Sequence, residues 1–227
     1  MIESEKVMSS LKDDLNRMGV KDRIKYAEEC GFAVKSTNAI ISIHPKWCEL
    51  IFSGKKKLEI RKRIPNARFP ITFYVYQTID KNWKYNLIPS LASKQGKVVG
   101  MFTCNDIDHW ESEFWLEDKD VYEAITMIEE DEFEPGEYIQ TRVFTNEWED
   151  WEIEPEFEKT LLYKDSCVSW NELRNYMKSG LNDFYTIHVE DVYYFTNPLN
   201  ISDFQNKNGK VLTRAPQSWC YCEVCEN

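Results

Sequence analysis

The chain has 227 residues, of which 42% are hydrophobic, 14% aromatic and 30% charged, with eight Gly and eight Pro. That length accommodates one large domain or two small ones, and the composition excludes collagen-like, low-complexity and wholly disordered chains. No run approaches the roughly 18 apolar residues that cross a bilayer, and the opening segment mixes charges of both signs without an apolar core. A soluble, cytoplasmic protein with no membrane partner is expected.

Seven cysteines are an odd number. Without a secretory signal they read as reduced thiols and not as a disulfide framework. The net charge of −11 conceals a strong asymmetry. Residues 1–38 balance at zero, residues 39–104 carry +9, residues 105–165 carry −18 and residues 166–227 carry −2. A basic module followed by an intensely acidic one is more informative than the total.

In chain order, Val7, Leu11 and Leu15 stand at helical spacing, and Lys21–Cys30 reads as a second short helix, so residues 1–38 are expected to form a helical extension. Ala39–Ile43 (AIISI) is a β-branched buried strand. His44-Pro45 opens a helix with Trp47, Leu50 and Ile51 on one face, and Gly54 closes it. Leu58 and Ile60 alternate with Lys57, Glu59 and Arg61, which is strand periodicity. Ile71–Gln77 and Lys97–Ile107 are further strands. The acidic stretch holds a helix over Lys119–Glu130 on this reading, and Trp170–Lys178 forms another. Phe184–Phe195 reads as one strand and Trp219–Val224 as the last. Strands interrupted by short helices, too irregular for βαβ repeats, give an α+β class built on a mixed sheet or small barrel.

The richest chemistry lies in Ser53–Arg63 (SGKKKLEIRKR), where Glu59 is surrounded by Lys55, Lys56, Lys57, Arg61 and Lys62. Such a set suits a phosphate, a carboxylate or the polar edge of a base, and it equally suits a solvated strand face with an ion-pair ladder. His188, alternating with apolar neighbours, reads either as an acid or base or as a hydrogen-bonded structural residue. Cys222-x-x-Cys225, with Cys220 nearby, is a single pair where a closed zinc site needs about four ligands, so reduced thiols are the expectation and neither metal nor cofactor is assigned. Trp219 and Ser218 suit base stacking and edge recognition, or simple closure of a sheet by a buried Trp.

Gly54, Lys56, Glu59 and Arg61 stand as G-x-K-x-x-E-x-R, which resembles the signature of the ASCH domain in the PUA-like superfamily of small β-barrels. The resemblance extends to ISIHPKWCELIFSGKK upstream, to FYTIHVEDV with Asn197-Pro198 and Ile201–Phe204, and to LTRAPQSWCY at 212–221. These motifs resemble a subgroup frequent in bacteriophage and gut-bacterial genomes. They place an ASCH-like domain over residues 39–227, interrupted by an acidic insertion at 105–165.

The resemblance implies a PUA-like barrel with a cavity facing its short helices, and a regulatory or RNA-related protein that binds RNA or a modified nucleotide. On this reading Lys56, Glu59, Arg61, His188, Ser218 and Trp219 line the ligand site. Lys55, Lys57, Lys62, Arg63 and Arg68 contact the nucleic-acid backbone. One branch of the family is an acetylcytidine amidohydrolase, whose pattern places Lys at the position of Lys56 and Thr at that of Glu59. A hydrolase acting on a modified nucleoside or RNA, with Lys56 and Glu59 catalytic, is therefore the enzymatic alternative. A carboxylate is a poor substitute for a hydroxyl there.

The acidic block admits three readings: a solvated insertion, a lid over the basic patch, or a surface for a basic protein partner. Trp110, Trp115, Trp148 and Trp151 among its acids favour a partner surface. With the phage-like resemblance, an acidic inhibitor of a host nucleic-acid-handling protein is a third possible function.

Overall fold

The structure is a computed structural model that describes residues 37–117, 120–130, 138–145, 157–177 and 183–225. The expected helices of the N-terminal extension lie outside them. The class is α+β, with twelve strands and three short α-helices among the described residues. The chain divides into two compact units. Among the described residues, one contains 37–54, 65–105 and 190–225, and the other those within 55–64 and 106–189.

In the first unit, β1 (Thr37–Ile43) follows from its run of β-branched residues, and helix α1 (Pro45–Phe52) begins at a proline preorganised for the first helical position. The His44 ring accepts the Lys46 N–H at 3.3 Å as an N-cap. Gly54, at φ +74°, takes the left-handed conformation that ends the helix. Strands β3 (Ile71–Gln77), β4 (Val98–Cys104), β9 (Glu190–Leu199) and β11 (Trp219–Tyr221) complete a sheet of order β11-β1-β3-β4-β9, with β3 parallel to β1. Strands β10 (Phe204–Gln205) and β12 (Glu223–Val224) pair separately. Ile40, Tyr74, Val98, Met101, Leu199, Phe204 and Cys222 pack as one core cluster.

Glu49 is a buried charge of this unit, at 2% exposure. Its Oε1 accepts the N–H groups of Leu87 and Ile88 at 2.8 and 2.9 Å, and its Oε2 accepts the Trp83 indole N–H at 2.9 Å. Burial by itself raises the Glu49 pKa, but these donors outweigh it and the carboxyl ends below its ordinary 4.5. A carboxyl depressed on folding stabilises above its unfolded pKa and loses that contribution as pH falls through the folded value. Glu49→Gln is therefore expected to cost about 1–2 kcal/mol at neutral pH. Urea unfolding should show the gap between variant and parent narrowing below pH 4.5, and a constant gap contradicts the assignment.

In the second unit, β2 (Leu58–Arg61), β5 (Ile107–Glu117), β6 (Asp120–Glu130), β7 (Tyr138–Thr145) and β8 (Asp183–His188) form a sheet of order β2-β8-β5-β6-β7. Helix α2 (Leu161–Ser166) is capped by Thr160, and α3 (Trp170–Met177) starts with a reciprocal Ser169–Glu172 capping box. Ile41, Val75 and Trp219 lie in the first sheet, and Leu58 lies in the second.

Four sequence readings change. The Trp219–Val224 strand divides at Cys222 into β11 and β12, which pair in different sheets. Residues 120–130 form a strand and not a helix, because β6 is paired along its length with β5 and β7. The Lys97–Ile107 strand divides after Cys104, and Ile107 begins β5 in the other sheet. Phe184–Phe195 divides at Val189, whose N–H turns to the Lys57 carbonyl at 2.8 Å, so that β8 and β9 serve different sheets. The acidic stretch supplies three of the five strands of the second sheet. Its Trp110 is core, 5% exposed and stacked on Phe184, so it offers no anchor to a partner. The side chains of Trp115, Trp148 and Trp151 lie outside the described residues.

Candidate functional site

The motif residues Lys56, Glu59 and Arg61 meet in the second unit at the start of β2. Residues 55–57 precede the strand, and strand alternation then sends Glu59 and Arg61 to one face. Lys56 and Glu59 are 2% and 4% exposed. Lys56 Nζ donates to the Ser166 carbonyl at 2.6 Å and lies 3.4 Å from Glu59 Oε2. Glu59 Oε1 is held by Arg61 Nη2 at 3.0 Å. The carboxylate therefore bridges two cations in a setting largely withdrawn from water.

Burial pushes the Lys56 amine below its ordinary value of 10.5, although Glu59, through charge and hydrogen bonding, pulls the other way. Desolvation wins because an ammonium loses most of its hydration here. The attraction of Glu59 for the protonated amine is outweighed by this burial.

Tyr176 of α3, 39% exposed, borders the cluster. The partial burial of its phenol raises its pKa, opposed by the Arg61 charge and by hydrogen bonds from the Lys62 backbone and the Arg61 side chain. Lys62 Nζ stands 4.9 Å from the centre of the Tyr176 ring. The Ser166 carbonyl and Tyr176 carry no sequence signal, since both reach the cluster only through the packing of α2 and α3.

The other expected site residues are dispersed. His188 sits directly opposite Leu58 and Ile187 opposite Glu59. Paired residues share a face and neighbours alternate, so His188 projects from the face opposite Glu59 and Arg61. There its Nε2 lies 3.0 and 3.1 Å from the two oxygens of Asp108. Ser218 and Trp219 belong to the first unit, where the Ser218 carbonyl accepts the Ser42 N–H and Trp219 stands opposite Ile41 on the edge strand. Trp219 makes an edge contact with Tyr221 at 5.3 Å.

Among the candidate backbone contacts, Lys55, Lys57 and Arg63 are exposed and Lys62 is half-buried in the second unit, and Arg68 is exposed in the first. Lys57 pairs with Asp165 at 3.4 Å on the surface. Burial raises the Cys222 thiol pKa strongly, which opposes the thiolate a metal would need. Cys225 Sγ donates to the Ser202 carbonyl.

No helix among the described residues is long and apolar enough to cross a membrane. No family model matches the chain, and no curated protein matches it. Among solved structures, the chain is similar to the crystal structure of ASCH from Zymomonas mobilis, at 17% identity over 82% of this chain and 87% of that one, with a TM-score of 0.46. A serine-to-alanine variant of the Zymomonas mobilis protein matches at 16% identity, the same coverage and a TM-score of 0.44. A tyrosine-to-phenylalanine variant matches at 17% identity, over 82% and 89% of the two chains, with a TM-score of 0.46.

Proposed function

We propose that this chain is an ASCH-type protein, related to the phage and gut-bacterial subgroup, that binds RNA or a modified nucleotide at the Lys56–Glu59–Arg61 cluster. The observation that carries the reading is the cluster itself. The motif residues converge on one buried ion network with a depressed lysine, and ionisable groups perturbed by both desolvation and specific charge partners concentrate at functional sites. The exposed Lys55 and Arg63 nearby in sequence supply phosphate contacts.

Fluorescent single- and double-stranded RNA and DNA, titrated at about 50 and 200 mM salt, test it. Binding tighter than about 0.1 mM that weakens with salt is expected, and replacing Lys55 and Arg63 by Ala should lower the salt slope by roughly one per lost contact. Affinity no better than about 0.1 mM for every polymer rejects the polymer reading and leaves a modified nucleoside as the ligand to titrate.

The depressed Lys56 amine favours hydrolysis as a second reading, because a lysine that sheds its proton readily serves as a general base. Acetylcytidine and labelled RNA incubated with the protein and with Lys56→Ala separate the two. Turnover lost in the variant establishes catalysis, and no turnover leaves binding alone.

A further inference from the structure

On the opposite face of the second sheet, a separate set of ligating side chains is built from two neighbouring strands. The Asp106 carbonyl accepts the His188 N–H at 3.1 Å, and Ile107 stands opposite Ile187. This register sets the Asp106-Ile107-Asp108 segment beside His188 with both carboxylates on the histidine's face. One ligand atom from each of Asp106, Asp108 and His188 lies within 4.8 Å of the other two. We propose that these three residues form a binding site for a divalent first-row transition ion of the Mn2+ class. This site is independent of the nucleic-acid reading.

Three observations support it beyond the clustering of acids. The set contains an imidazole, and one nitrogen with two carboxylates is a donor set for borderline divalent ions in preference to Mg2+ or Ca2+. His188 Nε2 is 3.0 and 3.1 Å from the Asp108 oxygens. That is hydrogen-bond distance, so an ion that displaces the ring proton meets the imidazole nitrogen and the carboxylate together.

The third observation is the support behind the ligands. Thr186, fully buried, donates to Asp108 Oδ2 at 2.6 Å, and its hydroxyl accepts the indole N–H of buried Trp110 at 2.9 Å. This chain out of the core holds the Asp108 carboxylate in place, as outer-shell partners do for metal ligands. Asp106 is exposed and Asp108 and His188 are half-buried, which leaves coordination positions for water or a phosphate oxygen.

The experiment uses the full chain, stripped with chelator and titrated with Mn2+ while the free-ion EPR signal and the heat of binding are followed. One Mn2+ per chain with a Kd at or below about 0.1 mM is expected, with Mg2+ at least roughly tenfold weaker. Asp106→Asn keeps the acceptor that caps the Ile107 N–H, and His188→Gln keeps a donor toward Asp108, so both should melt as the parent does without metal. Each should weaken Mn2+ binding by about 10–100-fold. Absence of Mn2+ binding at about 1 mM, or binding unchanged in folded variants, overturns the site. Tight Zn2+ with Mn2+ excluded overturns the assignment to an ion of the Mn2+ class.

Discussion

Glu59→Ala is expected to destabilise the protein by about 3–5 kcal/mol, because it leaves the Lys56 and Arg61 charges buried without the carboxylate that bridges them. For a chain of this size that corresponds to a fall in Tm of about 6–20 °C. Lys56→Met should cost far less, about 1–2 kcal/mol, since Glu59 keeps Arg61 and the main loss is the hydrogen bond to Ser166. The asymmetry is the diagnostic. Equal losses in the two variants mean that the carboxylate does not bridge two cations.

The same pair predicts a pH dependence. Lys56 has a folded pKa below its unfolded 10.5, so between those two values the unfolded chain holds more protons at this residue than the native state. Stability then rises with pH through that window and levels off above 10.5. Denaturant unfolding of the parent relative to Lys56→Met should therefore favour the parent increasingly as pH approaches 10.5. A flat difference removes the case for a readily deprotonated lysine.

Gly100→Ala should destabilise the first unit by about 3 kcal/mol or more. A Cβ at this position in β4 falls well inside contact with the Tyr193 carbonyl oxygen of β9, and 2.5 and 2.6 Å from Cε1 and Cζ of Phe52. The aromatic ring can turn aside. The carbonyl cannot move without disturbing a ladder already irregular on both sides of the Gly100–Tyr194 pair. Combining the change with Phe52→Leu should accordingly restore less than half of the lost stability, read as the interaction in a double-mutant cycle. Full restoration assigns the clash to the ring alone.

The motif was legible in the sequence because its members are close together. Lys56, Glu59 and Arg61 span six positions, and strand alternation suffices to put Glu59 and Arg61 on one face. Helix α1 was equally legible, since Pro45 and Gly54 act through their own backbone preferences. The β-branched runs at 39–43 and 71–77 specify buried strands in the same local way.

Pairing between distant segments decided the rest. Residues 120–130 carry a pattern compatible with a helix, and they became a strand because β5 and β7 offer ladders on both sides. The Lys56 ammonium finds its acceptor in Ser166, 110 residues away, and no spacing rule reaches across that separation. Asp108 and His188, 80 residues apart, meet through the register of β5 on β8. The register of β8 on β2 likewise sends His188 to the face opposite Glu59, because shifting a strand pairing by one residue exchanges its two faces. Residue identity and local spacing thus determined which side chains carry charge and which segments extend. The pairing of strands, a property of the whole chain's burial, decided which of those side chains share a site.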